Sequence, residues 1–403
     1  MPKHATPKQT SAKQTSDEQV TIDGLRLARA EGVGPVTYRR LLARFGSAAA
    51  ALKALPRLAQ AGGRASPPQV PTEADAVLEL ERTAALGARL LLLGDPDYPP
   101  LLAGLDDAPP VLAVLGDVTL LAGRAVALVG GRNASVNGRR IAEDLAAELA
   151  RAGLVVVSGM ARGIDAAAHE GALSIGHILG RTIAVVAGGL DVPYPPEHAE
   201  LQRRIAGAGA VVTEAPPGTV PQSRHFPRRN RIIAGLVLGV VVVEAAPRSG
   251  SLITARLATE AGREVFAVPG SPLDPRSRGA NDLIRQGAVL VETAADVLAN
   301  LPDGLEAGPV PLFAPEDAPD GPPGFAEPLA AELDFMDSAP DRAALHAQVL
   351  DLVGSSPTPV DAVLRRCQFS APAVMAALLE LELAGRVETL PGGRVAALLD
   401  PIA

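Results

Sequence analysis

The apolar residues change their period along the chain, and each change marks an expected boundary. Residues 1–20 are polar, show no apolar periodicity and read as a disordered tail. Over 21–87 the pattern turns helical. Leu25, Leu27 and Ala28 lead into Gly32-Val33-Gly34-Pro35; Tyr38, Leu41, Leu42 and Phe45 then recur at helical spacing and stop at Gly46. A Pro/Gly-rich stretch, Pro56 to Pro71, follows, and then a helix near Ala74–Leu86. Leu90–Leu93 and Val111–Leu115 read as two short strands around a Pro-rich connector.

From Arg124 to about Leu301 short runs that are apolar at every position alternate with helical stretches. The expected strands are Val126–Val129, Leu154–Val157, Ile183–Ala187, Ala210–Thr213, Gly239–Val243, Val265–Val268 and Val289–Val291. Wholly apolar, β-branched strands are covered on both faces, which requires a parallel sheet. In the intervening helix Asn137–Arg151, Ile141, Leu145 and Leu149 form one stripe. The alternation predicts an α/β fold, a doubly wound, mostly parallel Rossmann-like sheet over 88–302. Residues 303–341 are Pro-rich and acidic and read as a flexible linker. Helices at Ala343–Leu352, Val360–Arg366 and Ala371–Ala384, then a hairpin around Pro391-Gly392-Gly393, predict a winged helix over 342–403. The longest apolar run, Ile232 to Val243, is 12 residues and too short to span a membrane.

Composition narrows the function. Of the 403 residues 47% are hydrophobic, enough for more than one core. The four lysines are Lys3, Lys8, Lys13 and Lys53. With none beyond Lys53, P-loop NTPases, protein kinases and Schiff-base enzymes are excluded, because each needs a lysine amine in its site. The single cysteine, Cys367, rules out a disulfide framework and fits a reducing, cytoplasmic compartment; it reads as a core residue of the winged helix. Ten aromatic residues and no Trp argue against rows of stacking rings. The formal net charge is −8, which on its face argues against a nucleic-acid partner. Its distribution argues the other way. Residues 303–341 hold ten Asp and Glu and no Lys or Arg, whereas 203–248 hold seven Arg against two acids.

In an open parallel sheet, ligands bind outside the carboxyl ends of the strands. The segments expected there are Gly130-Gly131-Arg132, then Ser158-Gly159 with Arg162-Gly163, then Arg228-Arg229-Asn230-Arg231, then Ser249-Gly250-Ser251. Glycine lets backbone N–H groups approach an anion, and arginine adds a fork matched to phosphate. These residues are the candidate phosphate site. Asp165 and His169 stand four apart and read as supporting residues, either an acid–base pair or a helix-start carboxylate with a neighbour. Glu244 ends its strand and either orients arginines or acts as a catalytic carboxylate. No metal-ligating cluster and no G-x-G-x-x-G spacing stands out, so no metal and no cofactor are expected. The Gly-x-Gly turn at Gly32–Gly34 has the look of a helix–hairpin–helix, and an ordinary helix-packing turn explains it equally. The expected recognition helix of the winged helix carries Glu380 and Glu382 and no base, which suits a protein contact better than a DNA groove.

Taken in order, these loops resemble the DNA-processing protein A family (DprA, also called Smf) over about residues 88–300. The motif S-G-x-A-x-G-I-D falls on Ser158, Gly159, Ala161, Gly163, Ile164 and Asp165. F-P-x-R-N-R falls on Phe226, Pro227, Arg229, Asn230 and Arg231, and S-G-S-L-x-T-A on Ser249 to Leu252, Thr254 and Ala255. The family's Gly-Ser-Arg matches Gly130-Gly131-Arg132, with Gly for Ser. Members often carry Tyr-Pro-Lys-x-Asn after the third strand; here Pro196 and His198 stand in the Lys and Asn places, so that contact is either absent or supplied by an arginine such as Arg203 or Arg204. The resemblance implies a cytoplasmic protein of natural transformation that binds and protects incoming single-stranded DNA. It also implies help in loading the RecA recombinase, and a homodimer formed through the Rossmann-like domain. The expectation is a binding protein and no enzyme. Two other readings stay open: a nucleotide-processing enzyme like the phosphoribohydrolases, and an adaptor that works through its flanking domains.

Overall fold

The computed structural model describes residues 7–176, 180–302, 342–354, 356–390 and 392–398; of residues 7–17 it gives only the helical backbone. Residues 303–341, read above as an acidic linker, lie outside the described residues. Helix α1 runs Pro7–Ala28, which corrects the reading of a disordered tail from Pro7 onward. Lys, Gln and Ala keep good helix propensity where apolar periodicity is lacking, and among the residues whose side chains are described, from Glu18 onward, Ile22 is the first buried one. Helix α2, Pro35–Phe45, starts on a proline at its first position and stops at Gly46, whose φ of 73° closes the last turn onto Leu42. Helix α3, Ala48–Ala61, falls partly in the stretch read as a Pro-rich connector. Ser47 caps it, and its alanine-rich sequence carries the helix through Pro56. Helix α4 is Glu73–Ala85.

The sheet follows. Its strands are β1 Ala88–Leu92, β2 Val111–Gly116, β3 Ala125–Val129, β4 Val155–Ser158, β5 Thr182–Val185, β6 Ala210–Thr213, β7 Gly239–Val242, β8 Glu264–Ala267 and β9 Val289–Leu290. Their order is β1-β2-β6-β5-β4-β3-β7-β8-β9. From β6 to β9 every pairing is parallel, while β1 and β2 add an antiparallel edge. The intervening helices are α5 Pro100–Ala103, α6 Val136–Arg151, α7 Ile164–Leu173, α8 Ala199–Ala208, α9 His225–Gly235, α10 Gly250–Glu260, α11 Arg278–Arg285 and α12 Ala294–Asn300. Every position of β3, β4, β5, β6 and β7 is buried, as the apolar runs required. The chain winds outward from β3 through β4, β5 and β6, then returns to β7 on the other side of β3. The loops after β3 and β7 therefore part at a switch point, where doubly wound sheets hold their ligands.

The winged helix comprises α13 Arg342–Leu352, α14 Val360–Arg366 and α15 Ala371–Leu383, with strands β10 Thr358–Pro359, β11 Val387–Leu390 and β12 Arg394–Ala397 in the order β10-β12-β11. The three helices and the β11–β12 hairpin appear where the periodicity placed them. Cys367 is half-buried at the edge of its core.

The described residues fall into two compact units, one drawn from 1–77 and 311–403 and the other from 78–310. In the first, α15 packs across α3 so closely that a side chain at Gly62 would strike the Glu380 carbonyl. Glu380 is fully buried and binds Arg342 and His346, and Arg40 stands 3.8 Å from Glu382. The two acids that made α15 a poor DNA reader are thus partners inside this unit.

Candidate nucleic-acid interface

Parallel strands place the loops after β3, β4, β5, β6, β7 and β8 on one edge of the sheet. The glycines there set how closely they pack. Gly163 has φ 78°, and a Cβ on it would lie 2.3 Å from the Gly131 carbonyl. The first and second loops are thus pressed together, and Ile164 donates its N–H to Gly131. Glu244 fastens the switch point. Its carbonyl accepts from the Gly131 N–H at 2.5 Å, and its carboxylate accepts from the Ser135 N–H at 2.8 Å and the Ser135 hydroxyl at 2.5 Å. Both carboxylate oxygens are engaged. The residue holds the loop after β3 and is 9% exposed, so its carboxylate acts as an internal brace of the switch point.

The arginines divide by burial. Arg229 is 5% exposed and donates to the carbonyls of Gly159, just past β4, and of Val185, the last residue of β5. Burial lowers its pKa to about 10, and the Asp165 carboxylate beside it opposes that fall. Arg231 lies on α9 and is held by the Asp107 carbonyl and the Glu214 carboxylate. These two are corrected from phosphate ligands to internal braces. Asn230 is buried and donates to the Gly250 carbonyl at 3.3 Å. Ser158 is fully buried, its hydroxyl donating to Leu128 at 2.6 Å, and it also leaves the set of direct contacts.

Asp165 and His169 do not form an acid–base pair. Asp165 accepts from the Ala161 N–H at 3.2 Å; burial pushes its carboxyl up, opposed by Arg229. The Nδ1 of His169 meets the Thr182 hydroxyl at 2.8 Å, and that hydroxyl donates to the Val156 carbonyl. Thr182 can therefore only accept from the ring, which fixes the proton on Nδ1. Burial holds this histidine neutral, with a pKa lowered to about 3.

Arg132, Arg162 and Arg228 remain at the surface. Arg132 and Arg228 make no ion pair among the described residues. Arg132 lies over the Phe226 ring, 5.0 Å from its centroid, and Phe226 packs against Tyr194 at 5.5 Å with the planes tilted by 56°. Tyr194 is 45% exposed. This pair was missed, because a count over the whole chain hides two rings brought together from the loop after β5 and the first turn of α9. The signal present was the Tyr-Pro after the third strand and the Phe that opens F-P-x-R-N-R. Ser249 caps α10, with its hydroxyl 2.7 Å from that of Ser251; Ser251 is buried and Gly250 open to solvent. Arg203 and Arg204 are engaged on α8 with Glu200 and Glu170. The arginine that reaches the segment beside Pro196 is Arg162, paired with Glu197.

An arginine-bearing edge with a partly exposed aromatic pair, at the switch point of a doubly wound sheet, defines a Rossmann-like fold with a candidate ligand edge. Comparison with known proteins gives the family. The model for "DNA recombination-mediator protein A" matches residues 89–302, that for the "DprA-like N-terminal HHH domain" residues 18–82, and that for the "DprA winged helix domain" residues 334–393. The chain is similar to Protein Smf of Escherichia coli, 43% identical over 74% of each chain. It is also similar to DNA processing protein DprA of Bacillus subtilis, 44% identical over 54% of this chain and 72% of that one. The solved structure of DNA processing protein A from Streptococcus pneumoniae covers 58% of this chain and 79% of its own, with 44% identity and a TM-score of 0.54. The chain belongs to the DprA/Smf family.

Proposed function

We propose that this protein binds single-stranded DNA without sequence preference, protects it during natural transformation and helps to load the RecA recombinase. It does so in the cytoplasm, as a homodimer joined through the α/β unit, and without catalysing a reaction. The observation that carries the reading is the group of Arg132, Phe226 and Tyr194 on the open edge. A strand of nucleic acid offers what that group takes, a repeating phosphate beside a flat base. The loop glycines bring main-chain N–H groups to the same edge. The mediator role rests on membership of a family described as recombination mediators. The engaged carboxylate of Glu244 supports binding over catalysis.

Fluorescence anisotropy with a labelled oligothymidylate tests the binding. Affinity is expected to fall linearly on a log–log plot against salt, with Arg132→Ala reducing the slope by about 0.7. Phe226→Ala is expected to cost about 1–3 kcal/mol through lost base stacking. Parent-like binding by both variants at every salt concentration would overturn the reading.

A further inference from the structure

Arg132 also lines the mouth of a second feature, a cleft of about 520 Å³ between α6 and α7. Its volume is in the range of sites that hold a small ligand. The charged groups around it are Arg132, Arg139, Arg162, Glu143 and Glu170, with the His198 ring beside them. Glu170 is neutralised by Arg204, with two contacts of 2.9 Å. Arg139 is exposed on the first turn of α6 and makes no ion pair among the described residues. Arg162 projects from a turn in which Met160, buried, has a φ of 62°, a conformation non-glycine residues rarely adopt. Its guanidinium is held by Glu197, and both side chains stand about half exposed or more, at 64% and 47%. An exposed pair of this kind is weak, and a competing anion displaces it at little cost.

We propose that the cleft receives the phosphodiester next to the one at Arg132, with Arg139 and Arg162 as its cations and Glu197 as an anionic latch that holds Arg162 until the phosphate displaces it. The inference rests on the single-strand reading above and extends it. The strand enters over Phe226 and Tyr194, passes Arg132, and continues along α6 and α7.

The test is anisotropy of the full chain with the oligothymidylate across salt, using Arg139→Ala, Arg162→Ala, Glu197→Gln and Arg132→Ala. All four residues are exposed, and melting curves that overlay the parent's are the check that the variants fold equally. Arg139→Ala and Arg162→Ala are each expected to weaken binding roughly three- to tenfold and to reduce the salt slope by about 0.7. Glu197→Gln is expected to tighten binding by a similar factor. If Arg132→Ala weakens binding while Arg139→Ala and Arg162→Ala match the parent, the strand avoids the cleft and this inference fails alone. If all three arginine variants match the parent, the single-strand reading fails with it. Unchanged or weaker binding by Glu197→Gln overturns the latch.

Discussion

Arg132 and Arg229 are indistinguishable by residue type, and both stand in segments expected at the ligand edge. One is exposed on a ring face, and the other is buried under two strand ends. Composition showed that arginines gather here; burial decides which of them can meet a ligand. The two substitutions should therefore separate. Removing the Arg229 side chain leaves Asp165 buried without its partner and two strand-end carbonyls unsatisfied, so Arg229→Ala should destabilise the fold by about 3–5 kcal/mol. Arg132→Ala should melt with the parent and lose only DNA affinity. Thermal unfolding followed by circular dichroism distinguishes them, and equal melting of the two variants would contradict this division. The sequence could not reveal it, because both side chains follow equally plausible loop residues.

At the level of elements, the parallel strands were legible because burial on both faces leaves them almost wholly apolar, with only Ser158, Thr182 and Thr213 as buried polar positions in β3 to β7. The antiparallel edge of β1 and β2 was not, since a short apolar strand carries no mark of its direction. Helix α3 was hidden by Pro56, a residue that usually ends helices. The loops were legible as a site through their glycines, and Gly163 shows why glycine is required. Its positive φ and its close approach to Gly131 both exclude a side chain. Gly163→Ala should cost about 1–3 kcal/mol from the backbone conformation alone, φ 78° with ψ −121°, with a further penalty as the loops after β3 and β4 are pushed apart. Chemical denaturation measures the first effect, and a fall in oligothymidylate affinity beyond the stability loss measures the second. A variant as stable and as tightly binding as the parent would show that loop spacing is irrelevant.

For the whole molecule, the net charge of −8 concealed an arginine-bearing edge. Ten acids concentrated in residues 303–341 outweigh it in the total. The flanking parts read from sequence as separate domains, yet their described residues form one unit, with Arg40 and Glu382 set against each other. Periodicity finds helices within a domain and is silent on which domains pack together. On this account single-stranded DNA lies on the edge formed by the loops after β3 and β5 and the first turn of α9, over two aromatic rings and Arg132. Photo-crosslinking with an oligonucleotide carrying 5-bromodeoxyuridine, followed by peptide mapping, tests it most directly. The account predicts crosslinks in the peptides that contain Tyr194 or Phe226, lost at high salt and in Arg132→Ala; crosslinks confined to residues 342–398 would contradict it.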